Sequence, residues 1–180
     1  MTRIGLLTLL CFLAMTNYSY AQYDNVDFEP GGLGASWTWI MDQNADNPPL
    51  EFIANPVSGG INTTANVAKF TARQTGAPFA LTFTDSFDEF QFDATNSMVK
   101  IMVYKPTISN VGMKLEGPNG AIEILIPNTV TNQWEELTYD FSGQIGNTYT
   151  RIVIIPDFIG RTQENIVYFD NIQIPTGNIV

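Results

Sequence analysis

The chain has 180 residues, 18 of them acidic against 8 basic, with no histidine and a single cysteine, Cys11. A net charge of −10 sets it against nucleic acid and anionic membrane surfaces as partners. The missing histidine excludes a Ser-His-Asp triad, and one cysteine allows neither a disulfide framework nor a Cys/His zinc site; oxygen-ligand metals and carboxylate chemistry remain.

Residues 1–21 have the three parts of a cleavable export signal: Arg3 at the start, an apolar run over 4–15, and Ser19-Tyr20-Ala21 ahead of a cleavage point before Gln22. The run is too short to span a bilayer, which takes about 20 helical residues. A lipoprotein signal would use Cys11 but needs a small residue before it, and Leu10 stands there. Residues 22–180 are therefore expected to be one domain, secreted or held at the cell surface or in the periplasm, without membrane insertion. That domain is expected to be a monomer.

Along it the pattern is β almost throughout. Short runs rich in Val, Ile, Phe and Tyr at 26–29, 67–70, 98–104, 111–115, 122–126, 136–141, 151–155 and 166–174 read as strands. Turn signals separate them, among them Gly31-Gly32, Asn47-Pro48-Pro49, Ser58-Gly59-Gly60 and Gly117-Pro118-Asn119-Gly120. No stretch keeps an amphipathic helical period for three turns. The predicted class is all-β, a β-sandwich of the jelly-roll type.

Alternation assigns faces within these strands. Val99, Ile101 and Val103 share one face and read as core, with Lys100, Met102 and Tyr104 opposite. Val111, Met113 and Leu115 oppose Lys114 and Glu116; Ala68, Phe70 and Ala72 oppose Lys69, Thr71 and Arg73. If these strands are neighbours, their cations and Tyr104 form a polar sheet face. Ordinary solvated strand positions give the same pattern.

The two ends carry a motif pair. Val26-Asp27-Phe28-Glu29 and Val167-Tyr168-Phe169-Asp170-Asn171-Ile172 each bring an acid to a strand, and Trp134-Glu135-Glu136-Leu137 runs into Tyr139-Asp140-Phe141. Together they resemble the galactose-binding-like β-sandwiches that include many carbohydrate-binding modules, nearest to families 4, 9 and 22. Such modules occur in secreted polysaccharide-degrading proteins of marine Bacteroidetes, often attached to hydrolases or lyases, and no attached enzyme is visible here. The resemblance implies non-catalytic binding of a plant or algal polysaccharide. It also implies a structural Ca2+ held by Glu29 and Asp170, its shell completed by backbone carbonyls near Asn62 or Thr63 or by Asp27. Alternatively Glu29 and Asp170 only accept hydrogen bonds from the loop. The same motif implies a core position for Trp134.

Sugars bind where an apolar pyranose face stacks on a ring and flanking polar groups meet hydroxyls. Trp37 and Trp39 share a face of an extended segment and form either a binding platform or, with Met41, a core stripe. Phe79 lies in a turn-rich segment, and the resemblance directs it toward ligand. Tyr104, Arg73, Lys100 and Lys114 are its expected polar partners, with Phe158 and Arg161 as weaker candidates. Glu135 and Glu136 are adjacent and point to opposite faces, so they cannot form a glycosidase pair. Asp85, Asp88 and Glu89 read as solvated turn acids. The chain is read as no enzyme. The competing readings are a structural or adhesive module of the same fold and a small lyase or hydrolase.

Overall fold

The computed structural model describes residues 23–176. The expected export signal and Cys11 lie outside the described residues. The strands are β1 (Tyr23–Val26), β2 (Ile40–Asp42), β3 (Glu51–Ala54), β4 (Asn66–Ala72), β5 (Leu81–Thr84), β6 (Phe90–Gln91) and β7 (Met98–Tyr104). They continue with β8 (Asn110–Gly117), β9 (Gly120–Pro127), β10 (Trp134–Asp140), β11 (Thr148–Tyr149), β12 (Arg151–Phe158) and β13 (Asn165–Pro175). One short helix, α1 (Leu33–Ser36), follows β1.

Two antiparallel sheets pack face to face. The first has the order β10-β7-β13-β4-β3, with β1 paired to the far part of β13; the second has the order β2-β5-β12-β8-β9. A small ribbon joins β6 and β11. Alternation decides which side of each strand is buried, because each sheet hides one face and wets the other. Val99, Ile101, Val103, Val111, Met113, Leu115, Ala68, Phe70 and Ala72 are all buried, as their spacing predicts. Aromatic rings fill one end of the core, where Phe92 stacks on Phe141 at 5.2 Å. Tyr139 sits fully inside and donates its hydroxyl to the Val111 carbonyl at 3.0 Å, so its polar end is satisfied.

Three expectations change. The first strand ends at Val26 and pairs with Ile172–Pro175 of β13, so Asp27-Phe28-Glu29 follow the strand instead of forming it. Trp134 is not core: the inward residues of β10 are Leu137 and Tyr139, which leaves Trp134 on the outer face. Trp37 and Trp39 pack against the core beside the buried Met41, with ring contacts to Phe87, Phe28 and Phe169, so the core-stripe alternative holds for both. Among the described residues no helix is long and apolar enough to cross a membrane.

Candidate functional site

The expected ligand residues do not converge on one site. Lys100 and Tyr104 lie on the outer face of the first sheet, where Lys100 pairs with Glu136 at 2.9 Å. Lys114 and Phe79 lie on the other side of the sandwich, at the second sheet. Arg73 sits at the end of β4 and is held by Asp46 and Glu164 at 2.9 and 2.8 Å, a role in tying loops together. Arg161 is likewise structural: its guanidinium donates to the carbonyls of Arg73, Ala77, Asp157 and Ile159.

Register orders the outer face of the second sheet into bands. Ile40, Phe83, Val153, Lys114 and Glu123 form one row across all five strands. The next runs from Leu81 toward Ile155, Gly112 and Leu125. Gly112 has no room for a side chain, because a Cβ there would press on Ile155 and Leu125. The floor at that point is therefore backbone flanked by aliphatic walls. Wet apolar positions stand around this band: Ile40 on the edge strand β2 is 48% exposed, Leu125 on the opposite edge strand β9 37%, and Phe79, in the turn before β5, 43%.

Charges and rings bracket this apolar band. At one end Asp85 grips Arg151 through two hydrogen bonds of 2.7 and 2.8 Å, Arg151 reaches Glu116 at 3.3 Å, and Glu116 meets Lys114 at 2.5 Å. Arg151 also lies over the Phe83 ring, 4.5 Å from its centroid. Lys114 holds the Glu116 carboxyl below the usual range, and Arg151 does the same for Asp85. Both acids are thus fixed acceptors at neutral pH. At the other end Phe79 and Phe158 face each other at 6.4 Å. The charged end opens into a cleft of about 490 Å³ lined by Asp85, Phe87, Glu116, Gly117, Thr150 and Arg151. A second cleft of about 420 Å³ adjoins it, with Trp37, Asp24, Ser86 and Asp88 on its walls. Trp37 therefore shows an edge to solvent even though its ring packs on the core.

The acidic motif pair converges at the loop between β3 and β4. Asp170 is completely buried; its Oδ2 accepts from Asn62 Nδ2 at 3.0 Å and Thr64 Oγ1 at 2.5 Å, while Oδ1 has no partner. Burial raises the Asp170 carboxyl above its ordinary value, Thr64 and Asn62 pull it down, and nearby Asp27 pushes it up again. Glu29 is occupied differently. Asn66 donates to it from its side-chain amide (2.9 Å) and its backbone (3.0 Å), and Ala65 N–H donates as well. These bonds, led by the Asn66 side chain, hold its carboxyl low. The hydrogen-bonding alternative thus describes Glu29, whereas Asp170 keeps a free buried oxygen. Among the described residues no group of three or more acids, cysteines or histidines converges as a metal cluster. The free Asp170 Oδ1, the Asp27 carboxylate and loop carbonyls are a donor set that suits a hard cation, whereas the Asn62 amide turns its nitrogen to Asp170 and its oxygen to Thr64.

Ile40, Phe83, Leu125 and Arg151 were not among the candidates read from the sequence, nor were Tyr168 and the outward Trp134. Single-strand alternation marks each as outward or inward, but only the order of strands tells which outward residues meet.

No family model matches the sequence, and no curated protein matches it. Among solved structures, the fold is similar to two mutants of a family 29 carbohydrate-binding module. Their TM-scores are 0.54 and 0.55 at 10% and 8% identity, covering 89% and 88% of this chain and 98% and 88% of theirs. It is also similar to a family 61 module in complex with β-1,4-galactotriose, with a TM-score of 0.53 and 14% identity over 87% of this chain and 99% of that one. The shared feature at such identities is the β-sandwich architecture of carbohydrate-binding modules. The expected β-sandwich fold is theirs, and the sites rest on this chain's own residues.

Proposed function

We propose that this chain is a non-catalytic module that binds a plant or algal polysaccharide on the outer face of the second sheet. One observation carries the reading: an aliphatic band edged by the exposed Ile40 and Leu125 lies between a charged ladder and the Phe79–Phe158 ring pair. A pyranose chain has the same two-sided chemistry, with apolar C–H faces and a fringe of hydroxyls. Asp85, Glu116 and Glu123 accept from hydroxyls, and Lys114 and Arg151 donate. The solved neighbours support the reading because they are carbohydrate-binding modules, one of them carrying a galactotriose.

Asp170 and Asp27 would hold a Ca2+, with backbone carbonyls near Asn62 and Thr63 completing the shell. The ion would supply structural bracing and no reaction chemistry. Glu29 would position the loop by its hydrogen bonds. The export signal would deliver the module to the periplasm, the cell surface or the medium.

Affinity electrophoresis through gels containing β-glucans, xylans, mannans, galactans and alginate tests the reading. One polymer should retard the chain without release of reducing sugar or unsaturated product. Phe79→Ala should weaken that binding roughly tenfold, about 1.4 kcal/mol, with an unchanged melting temperature. Migration unaffected by every polymer would favour an adhesive module of the same fold.

A further inference from the structure

The outer face of the first sheet holds a row that the reading above does not use. Trp134 on β10 stands opposite Tyr104 on β7, Tyr104 opposite Tyr168 on β13, Tyr168 opposite Lys69 on β4 and Lys69 opposite Glu51 on β3. Three aromatic rings therefore follow one another across three adjacent strands, with centroids 5.7 and 5.9 Å apart. All three are half-buried on the solvent side of the sheet, outside the core between the sheets. Trp134 is pinned in place: its indole N–H donates to the Val57 carbonyl at 2.9 Å. Beyond it the row opens into a groove of about 310 Å³ lined by Val57, Gly59, Ile61, Asn132 and Gln133.

We propose that this row and groove form a second glycan-binding surface, which takes a neutral pyranose chain across β13, β7 and β10 with one end in the groove. The rings are inclined to one another by 60° and 56°, so they present a stepped surface in place of one flat plate. Successive sugars of a twisted chain change orientation in the same way. Neutrality follows from the charges beside the row. Lys69 is matched by Glu51 at 2.8 Å and Lys100 by Glu136 at 2.9 Å, so no cation there is left to draw a uronate. Among the described residues no hydrogen bond engages the hydroxyl of Tyr104 or Tyr168, which leaves both for sugar oxygens. Cross-strand packing alone would stabilise the sheet equally well, and the experiment separates the two roles.

The surface is tested by titrating the wild type, Tyr104→Ala, Tyr168→Ala and Phe79→Ala with β-linked hexaoses of glucose, mannose, xylose and galactose and with a uronate hexaose. Binding is followed by tryptophan fluorescence and by the tyrosine ring resonances, and each variant's fold by its melting temperature. The expected result is that a neutral hexaose moves the Tyr104 and Tyr168 resonances. Its affinity should fall at least tenfold in Tyr104→Ala or Tyr168→Ala and survive in Phe79→Ala. The proposal is overturned if no neutral hexaose moves these rings, if only the uronate does, or if Tyr104→Ala loses melting temperature but no affinity. Survival of this response in Phe79→Ala also keeps the two faces distinguishable, since loss of the first proposed site leaves the second intact.

Discussion

Lys105 is buried to 1% exposure at one end of the sandwich, with Nζ 2.6 Å from Ser109 Oγ and 3.5 Å from Asp157. Ser109 and Asn165 both donate to Asp157, and the buried Arg161 guanidinium lies 3.8 Å away. Desolvation lowers the Lys105 ammonium to about 8 despite the attraction of Asp157. In the unfolded chain the same group keeps its proton to about 10.4. Between these values the unfolded state binds more protons, so stability rises with pH across the window and is flat below it as far as this lysine is concerned. Tyr139 acts in the opposite sense at higher pH: burial raises its phenol, so the unfolded chain ionises first and stability falls above about 10. Urea unfolding from pH 7 to 10 should show a rising midpoint that Lys105→Met removes. A midpoint that declines across this range in the wild type would contradict the assignment.

At the scale of elements, β13 breaks its own alternation. Phe169 points into the core and Asp170 to the other face of the sheet, buried under the β3–β4 loop, yet Ile172 and Ile174 point into the core again, so the alternation resets between them. The reset is a bulge: Asp170 pairs with Met102 but Gln173 pairs with Lys100, and Asn171 takes a φ of 47°. Asparagine tolerates this left-handed backbone far better than a β-branched residue does. Asn171→Val should therefore cost about 1–2 kcal/mol in urea unfolding, and Asn171→Gly clearly less. Equal losses for both variants would mean that the Asn25 contact, not the backbone, decides the position. The sequence reading found 166–174 as one strand because β-branched and aromatic residues crowd it, but its period breaks inside. Seven of the long strands were legible for the same reason. The short pieces β2, β3, β5, β6 and β11 were not, since two to four residues cannot display a period. Lys114 and Phe79 were legible as outward positions because their own strand or turn declares them so. The row from Trp134 to Tyr168 was not, because three strands far apart in sequence build it and only pairing reveals their order.

The whole molecule places its two proposed glycan surfaces on opposite sides of one core and joins its first and last strands at a third place. Asp27 directly follows β1, Asp170 lies within β13, and Asn62 and Thr64 belong to the loop between β3 and β4. A cation there would tie three segments that otherwise meet through a few hydrogen bonds. Without it, the buried Asp170 carboxylate bears a desolvation cost that a neutral amide would not. Two opposite effects of Asp170→Asn follow. In EDTA the substitution should leave the melting temperature unchanged or raise it. In calcium at about a hundred times its dissociation constant the wild type should gain about 2.7 kcal/mol, roughly 5–10 °C for a domain of this size, and the variant should gain nothing. Scanning calorimetry of both chains in EDTA and in calcium chloride reads all four values. If calcium leaves the wild type where EDTA does, the Asp170 pocket is a hydrogen-bonded loop anchor, and the free oxygen is a cost the fold carries unaided. If calcium shifts both chains equally, the ion binds elsewhere on this strongly acidic surface, and Asp27 and Asp170 only repel each other across a closed loop.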